Sequence, residues 1–364
     1  MKIFKLLIVE DNDTIYNSVY LRNIQVENKE NEYLNFEVER ARTKRETEEL
    51  LNTKEFDGAI VDLNLSDAGG GDREGNEILT IIKANQRFPV FVITGTPQDI
   101  DEDHKGESDL YKIVSRDDFE FLFIEEFKKI FNTGITQILN KKGHIEQYLT
   151  KIFWNHLSNS LNLWMSDDSR DSSAKEESLL RYTLLHMQEY IDESIEKYHP
   201  AEFYITKPIK KNLFTGDIIS WNGSRFIVLT PSCDIVLRKG VRNATNILLL
   251  QIKSFKDLNL NLANTSGTNK SKIERYTKNS KQRYHFIPSA GSLEPGIIDF
   301  QDKKTVEGKY IDGLLAEGSQ EIHRVATVSA PFLKDIISRY SNYYGRQGAP
   351  DFDPEEIWTS ITKP

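Results

Sequence analysis

Carboxylate side chains follow two of the apolar runs in the N-terminal part of the sequence. The run FKLLIV is followed at once by Glu10 and Asp11, and the run AIV is followed by Asp62. A hydroxyl residue, Thr94, closes a third apolar run, VFVI. An acid often caps the helix that comes after a strand, and that role explains any one of these positions. It does not explain why acids follow two runs and a hydroxyl follows another.

The apolar runs of the first 130 or so residues alternate with stretches of helical spacing. Continuous apolar strands alternating with helices predict a doubly wound, five-stranded parallel α/β sheet. Ligand sites in such sheets lie beyond the carboxyl ends of the strands, so Glu10, Asp11 and Asp62 are expected to converge. Converging carboxylates repel one another unless a cation neutralises them. Hard oxygen ligands with room for water suit Mg²⁺, and we therefore expect a magnesium site.

Composition places the chain among soluble globular proteins. Its 364 residues are 28% charged and 38% hydrophobic, which predicts two or three domains. No apolar run approaches the roughly 18 residues that a membrane span needs. The single cysteine, Cys233, excludes an internal disulfide and fits a reducing cytosol. A net charge of −9 gives no overall attraction to nucleic acid. We expect a cytoplasmic protein with no membrane partner.

The N-terminal third resembles the receiver domain of bacterial two-component response regulators. LLIVEDN matches the acidic pair after the first strand, IVDLNL matches the phosphoacceptor strand, and VITGT matches the strand that ends in a hydroxyl residue. The resemblance implies that Asp62 accepts a phosphoryl group from a histidine kinase or phosphotransfer protein. Glu10 and Asp11 would hold Mg²⁺ together with Asp62. The backbone carbonyl of Asn64 would complete the protein ligands, and Thr94 would donate its hydroxyl to a phosphoryl oxygen.

The resemblance also implies that the receiver catalyses at most its own phosphoryl transfer and dephosphorylation. Receiver domains usually carry a lysine at the end of the fifth strand, and here the sequence departs from the pattern. Matching LYKIVSRDDFEFL by its helix hydrophobics puts Ser115 at the lysine position. Lys112 precedes that position and Arg116 follows it, so either one is a candidate cation for the phosphoryl group.

Residues 132–200 carry two stretches of helical apolar spacing, separated by the polar segment SDDSRDSSAKEES. Two amphipathic helices joined by a polar loop predict a helical hairpin. Such a hairpin has more apolar surface than it can bury alone, so we expect it to connect the domains and to form a homodimer. His144, His156 and His186 lie on these helices. A histidine kinase helix usually carries an acid directly after its histidine, and none of these three has one. We therefore expect them to be surface or boundary histidines.

The C-terminal part alternates between apolar and polar residues around glycine and proline turns. This pattern predicts a β-rich α+β domain, for which a small barrel is one arrangement that fits. Asn222 and Gly223 predict a tight hairpin turn. The predicted domains are a receiver at 1–131, a helical hairpin connector at 132–200 and an output domain at 201–364.

Two features of the output domain could carry chemistry. Cys233, beside Asp234, could form a thiolate nucleophile with His285, although a lone cysteine at a strand end is more often a packing residue. The segment 270–285 holds six lysines or arginines and two tyrosines. Such a segment can follow a phosphate backbone. A solvated loop fits the same composition, and nucleic-acid binding is not the favoured interpretation.

The leading interpretation is a cytoplasmic bacterial response regulator, phosphorylated on Asp62, that relays the signal to an atypical output domain. Two alternatives stay open. One is a phosphate sink or adaptor receiver in an anti-phage phosphorelay. The other is an effector enzyme, nuclease-like, that uses the C-terminal domain. Salt-sensitive nucleic-acid binding would separate the effector from the other two.

Overall fold

The computed structural model describes residues 1–65, 73–116, 122–192, 197–258, 267–318, 320–346 and 352–363. The chain forms two compact units, Met1–Ser194 and Ile195–Pro364. A further boundary at residue 131, between receiver and connector, stays a prediction. None of the described helices combines the length and the apolar composition that crossing a bilayer requires.

The first part of the N-terminal unit alternates strands with helices. The strands are β1 (Lys2–Val9), β2 (Leu34–Ala41), β3 (Gly58–Val61), β4 (Val90–Thr94) and β5 (Tyr111–Ser115). The helices are α1 (Asp13–Ile15, the π-helical Tyr16–Leu21 and Arg22–Glu30), α2 (Lys44–Thr53), α3 (Glu74–Asn85) and α4 (Leu122–Asn132).

Within the described residues these strands form one parallel sheet of five, in the order β2-β1-β3-β4-β5. This is the order of the flavodoxin-like, doubly wound class, which includes receiver domains. Successive side chains of a strand point to opposite faces. Leu6 and Ile8 of β1 therefore join the core layer of Phe127, whereas Leu7 and Val9 join the opposite layer. The predicted doubly wound sheet is confirmed.

The connection from β4 to β5 departs from the predicted alternation, because it contains two single turns of 3₁₀-helix instead of an α-helix. These turns are Pro97–Asp99 and Glu102–His104. The segment is rich in acids and lacks the apolar spacing that a packed helix needs. Asn76 of α3 holds it: its Nδ2 donates to the Asp99 carbonyl (3.0 Å) and its Oδ1 accepts from the Asp101 amide (2.9 Å).

The predicted helical hairpin follows. Its elements are α5 (Ile135–Leu139), α6 (His144–Ile152, the π-helical Phe153–Leu157, Ser158–Ser160 and Asn162–Met165) and α7 (Ser172–Asp192). Trp164 Nε1 donates to Ser178 Oγ (3.2 Å), and His156 Nε2 lies 2.9 Å from the Tyr190 hydroxyl. These contacts near the two ends of α7 show that α6 and α7 pack side by side.

The C-terminal unit is rich in strands. They are β6 (Tyr204–Ile205), β7 (Asp217–Trp221), β8 (Ser224–Val228), β9 (Asn246–Lys253), β10 (Tyr284–Ile287), β11 (Gly296–Glu307) and β12 (Ile322–Val328). The α-helices are α8 (Ser232–Ile235), α9 (Gly267–Thr277), α10 (Gly308–Ala316), α11 (Ala330–Gly345) and α12 (Pro354–Thr362). Single 3₁₀ turns cover Pro200–Phe203 and Phe255–Leu258.

These strands form an antiparallel sheet in the order β10-β11-β9-β8-β7-β12-β6, which confirms the β-rich α+β class. The hairpin turn between β7 and β8 is also confirmed, since Asn222 (φ 48°) and Gly223 (φ 73°) both have the positive φ of a type I′ turn. The order is linear, so backbone pairing in the described part of this unit does not close a barrel. β6 and β10 are the two edge strands of this sheet. One side-chain hydrogen bond joins their neighbourhoods: the Tyr204 hydroxyl of β6 donates to the carbonyl of Pro288, the residue after β10 (2.6 Å).

The prediction of a solvated loop at 270–285 is wrong. Most of that segment lies in α9 and at the start of β10. Tyr276 of α9 is buried, and its ring packs 5.3 Å from the ring of Tyr284 on β10. The helix α9 packs through its aromatic residue, which is buried, while its basic residues lie on other faces.

Close packing of α3 on the strand that carries Asp62 leads to a first prediction. A Cβ atom at Gly75 would lie 2.4 Å from Leu63 Cα and 2.6 Å from the Asp62 carbonyl oxygen. We expect Gly75→Ala to lower the free energy of unfolding by about 1–3 kcal/mol, because backbone must shift to admit the methyl group.

Urea unfolding followed by circular dichroism measures this change. The matched control is Gly313→Ala in α10, where a Cβ meets nothing within 4 Å. It should leave stability unchanged or raise it by about 0.5–1 kcal/mol. Equal effects of the two substitutions would contradict the packing described here.

Candidate functional site

The residues that follow β1 and β3 are fixed side by side at the carboxyl edge of the sheet. The Asp62 amide donates to the Val9 carbonyl (3.0 Å), which ties the end of β3 to the end of β1. The side chain of Arg40, on β2, holds the backbone of Glu10 and Asp11. Its Nε donates to the Glu10 carbonyl (2.8 Å) and its Nη2 donates to the Asp11 carbonyl (2.9 Å).

This arrangement brings together the three carboxylates that the sequence singled out. Glu10, Asp11 and Asp62 each offer an oxygen, and these atoms all lie within 4.8 Å of one another. All three residues are buried, with exposed fractions of 0%, 7% and 4%. Buried like charges at this separation are strongly unfavourable unless a positive charge lies among them.

Arg116, directly after β5, supplies such a charge. Its Nη2 lies 2.5 Å from Asp62 Oδ2 and 3.7 Å from Glu10 Oε2. Lys112, the other candidate cation, points elsewhere: its Nζ donates to Glu126 of α4 (2.6 Å). Ser115, at the lysine position of the family, pairs with Thr94 in the sheet. The structure thus places the cation one residue beyond the family position.

Hydroxyl and amide groups line the rest of the site. Thr94 is fully buried and its hydroxyl hydrogen-bonds to Asp62. The Asn64 amide lies 3.4 Å from Asp62 Oδ1, which places Asn64 at the rim of the cluster. Tyr20 of α1 is also fully buried, and its hydroxyl lies close enough to Glu10, Asp62 and Arg116 for their charges to act on its pKa.

Sequence reasoning missed Tyr20. It lies in the π-helical turn Tyr16–Leu21, where one extra residue per turn changes which side chains face the sheet. The sequence signal available was a tyrosine in an otherwise ordinary amphipathic stretch, which does not predict a π-turn. Such turns are frequent at functional sites.

Burial dominates the electrostatics of the cluster. Burial, together with the nearby Asp62 charge, raises the pKa of Glu10 to about 7, against the opposing effects of the Asn12 amide and Arg116. Burial also raises the pKa of Asp62, against the opposing effect of Arg116 and of the Thr94 hydrogen bond. Burial opposes the charge on Arg116, but Asp62 and Glu10 outweigh it and raise the pKa of the guanidinium. The site therefore favours added positive charge.

The donor set fits a hard divalent cation. The three carboxylates offer oxygen atoms, the ligand type that Mg²⁺ prefers. Glu10 Oε2 is buried and makes no hydrogen bond in the described structure. A buried carboxylate oxygen without a hydrogen bond is costly, and coordination of a cation would satisfy it.

The structure does not join the C-terminal candidates into a catalytic site. Cys233 is exposed on the short helix α8, next to Asp234. His285 is buried in β10, and its Nε2 lies 3.0 Å from Asp335 Oδ2. Burial lowers the pKa of His285 despite that contact. No hydrogen bond among the described residues links His285 to Cys233, so a Cys/His dyad stays a prediction without a geometric basis.

Comparison with protein-family models finds no match, and comparison with curated proteins finds none either. Among solved structures, the chain is similar to a CheY-like response regulator receiver domain from Methylobacillus flagellatus, with 15% identity and a TM-score of 0.27. The match covers 36% of this chain and 98% of that one.

A second similar structure is the N-terminal domain of a response regulator/sensory box/GGDEF protein from Carboxydothermus hydrogenoformans. It is 21% identical, with a TM-score of 0.28, over 36% of this chain and 98% of that one. A third is the receiver domain of the PhyR response regulator from Erythrobacter litoralis, with 16% identity, a TM-score of 0.27, and coverage of 39% and 95%. The strand order of the N-terminal sheet is that of the flavodoxin-like class, which includes receiver domains, so the fold predicted for the N-terminal third is confirmed.

Proposed function

We propose that this chain is a response regulator whose Asp62 accepts a phosphoryl group from a histidine kinase or phosphotransfer protein. The observation that carries the proposal is the position of the Asp62 carboxylate. It lies between two further acids, Glu10 and Asp11, and the guanidinium of Arg116. A carboxylate is a weak nucleophile, and surrounding positive charge is what makes it usable for phosphoryl transfer.

Glu10, Asp11 and Asp62 would hold Mg²⁺, with the Asn64 backbone carbonyl as a further ligand. When bound, Mg²⁺ supplies charge neutralisation for the acceptor and for the phosphoryl oxygens. The buried Glu10 oxygen that makes no hydrogen bond and the excess of buried negative charge support this assignment.

In the transfer step, an Asp62 oxygen forms a bond to phosphorus as the bond from phosphorus to the donor's imidazole nitrogen breaks. The electron pair goes to that nitrogen, so no further reactant is needed. Arg116 then exchanges its contact with Asp62 for the phosphoryl oxygens. Its planar guanidinium offers several donors, where the lysine of the family offers a single compact charge. The Thr94 hydroxyl donates to another phosphoryl oxygen.

A relay function is favoured over a phosphate sink by the apolar surface of the hairpin. A sink needs only the acceptor site, whereas α6 and α7 expose large apolar side chains. The exposed fractions reach 66% at Trp154, 65% at Leu163 and 66% at Leu185. We propose that this face binds a second copy of the chain and that the C-terminal unit is the output. The same proposal places the protein in the bacterial cytoplasm.

A second copy is the occupant that the hairpin suits best. A stable interface buries about 800 Å² on each partner, with an apolar core. Two hairpins that each present an apolar face on both helices would meet this need as a four-helix bundle.

Magnesium affinity tests the assignment of ligands. We expect Glu10→Gln to weaken Mg²⁺ binding about tenfold or more, because a charged oxygen ligand becomes neutral. Arg116→Gln should tighten it, since the guanidinium no longer competes for Asp62. Isothermal titration calorimetry measures both. Lys112→Gln is the matched control and should bind Mg²⁺ as the wild type does. A response of Lys112→Gln equal to that of Arg116→Gln would contradict the assignment.

Phosphorylation by acetyl phosphate tests the proposed function itself. With Mg²⁺ present, intact-mass spectrometry should show one added phosphoryl group on the wild type, and none on Asp62→Asn. Asp109→Asn removes an exposed acid from the loop before β5 and should be phosphorylated normally. A wild-type chain that stays unmodified while folded, or an adduct retained in Asp62→Asn, would overturn the proposal.

Self-association tests the role of the hairpin. Light scattering at micromolar concentration should give a dimer mass for the wild type and a monomer mass for the double variant Leu184→Glu/Leu185→Glu. These side chains are 55% and 66% exposed, so the change should not disturb the fold of the monomer. Ile209→Glu alters an 84% exposed residue of the other unit and should leave the dimer intact. A monomeric wild type would contradict the prediction.

A further inference from the structure

The two units carry opposite charge. Ile195–Pro364 holds 24 Lys+Arg against 18 Asp+Glu, a formal charge of +6, and Met1–Ser194 holds 23 against 38, a charge of −15. The whole-chain value of −9 therefore hides a basic C-terminal unit. Such an asymmetry between halves is typical of a chain that binds a polyanion with one of them.

Part of this positive charge lines a pocket on the C-terminal unit. The pocket has a volume of about 220 Å³. Its lining residues share one face of the last turns of α11, at spacings of three and four, together with the residue before Arg283. They are Gln282, Arg339, Asn342, Tyr343 and Arg346. Two guanidinium groups, two amides and a phenol make this a polar pocket that suits an anion with several acceptor oxygens.

Hydrogen bonds fix the two arginines, and each guanidinium keeps N–H donors that are not used in these bonds. Arg346 Nη1 donates to Gln282 Oε1 (3.0 Å), and its guanidinium carbon lies 4.2 Å from the centre of the Tyr343 ring. Arg339 donates through Nη2 to the Asn279 carbonyl, while its buried Nε has no hydrogen-bond partner in the described structure. An acceptor bound in the pocket would satisfy this buried donor.

The neighbouring acids do not cancel this charge. Asp299 is fully buried and is paired with both Lys253 (2.8 Å) and Arg283 (2.6 Å). Asp335, one turn before Arg339 on α11, contacts His285 (3.0 Å). An interaction with the dipole at the C-terminal end of α11 suits Arg346, the residue after the helix. That role does not account for Arg339, which lies two turns earlier.

Basic side chains continue beyond the pocket, and each lies over a tyrosine ring. Lys281 lies 4.0 Å from the ring centre of Tyr276, and Lys303 lies 4.6 Å from that of Tyr344. The Tyr344 ring is 5.2 Å from the Tyr343 ring and remains 45% exposed. Tyr276 is buried, so Tyr344 is the exposed ring of this pair. Cations beside an exposed aromatic face are the features with which proteins follow a single strand, by contacting phosphates and stacking bases.

We propose that this surface binds single-stranded nucleic acid, with one phosphate in the pocket between Arg339 and Arg346 and a base stacked on Tyr344. The pocket is smaller than the roughly 300–1,000 Å³ that encloses a whole small molecule, so it fits one phosphate of a longer chain. The surface lies on the last turns of α11 and includes Lys303 of β11 and the end of the 270–285 segment, at Lys281 and Gln282. It goes beyond the proposed phosphoryl acceptor site and does not depend on Asp62.

Fluorescence anisotropy of the full chain with a fluorescein-labelled 15-nucleotide poly-dT strand tests the proposal. The wild type should bind, with an affinity that falls steeply as salt rises. Arg339→Gln/Arg346→Gln should weaken binding about tenfold or more. It should also make the salt slope shallower by about 0.7, because the contact with one phosphate is lost. Tyr344→Ala should weaken binding without changing the slope, and Tyr344→Phe should restore it, since stacking carries no charge.

The matched control is Lys309→Gln/Lys334→Gln, which removes two exposed charges of the same unit outside the pocket and should bind nearly as the wild type does. The single variant Arg346→Gln separates loss of binding from misfolding, because Arg346 is exposed and its replacement should leave the fold intact. It should lower both affinity and slope in part. No binding by the wild type, equal losses in the control, or equal affinity for a duplex of the same length would overturn the proposal. Asp62→Asn should bind the strand with the affinity of the wild type, because the proposed surface does not depend on Asp62.

Discussion

Three buried carboxylates lie within 4.8 Å of one another and repel, and neighbouring residues of the N-terminal sheet hold them together against this repulsion. Arg40 fixes the backbone beneath the acids, and Arg116 places a guanidinium against Asp62. Gly75 lets α3 pack directly on the strand end that carries the acid. Burial and the nearby Asp62 charge still raise the pKa of Glu10 to about 7, so Arg116 does not fully neutralise the cluster. The proposed binding of a divalent cation and the proposed phosphoryl transfer to Asp62 both rest on this imbalance.

Much of this arrangement could be predicted from local signals in the sequence. Continuous apolar runs define parallel strands, and an acid directly after such a run must lie at the carboxyl edge. That reasoning located Glu10, Asp11 and Asp62, and the structure brings them together. The turn at Asn222 was predictable for the same reason, because an Asn-Gly pair alone determines its backbone conformation.

Features that depend on side-chain direction or on distant packing could not be predicted. Choosing between Lys112 and Arg116 requires knowing that β5 ends at Ser115, since four residues of strand span about 13 Å. Tyr20 reaches the site only through a π-turn. The phosphate pocket joins Gln282 to Arg339, which are far apart in sequence. The basic C-terminal unit was hidden by the acidic N-terminal one, because the whole-chain charge averages the two.

The central claim is that Asp62 itself becomes the acyl phosphate. The direct measurement is borohydride reduction of the chain after treatment with acetyl phosphate and Mg²⁺, followed by peptide mass spectrometry. Borohydride converts an aspartyl phosphate to homoserine, which marks the modified position. We predict homoserine at position 62, only when both the phosphodonor and Mg²⁺ are present. Reduction at another acid, or none in a folded chain, would contradict the assignment of Asp62 as the acceptor.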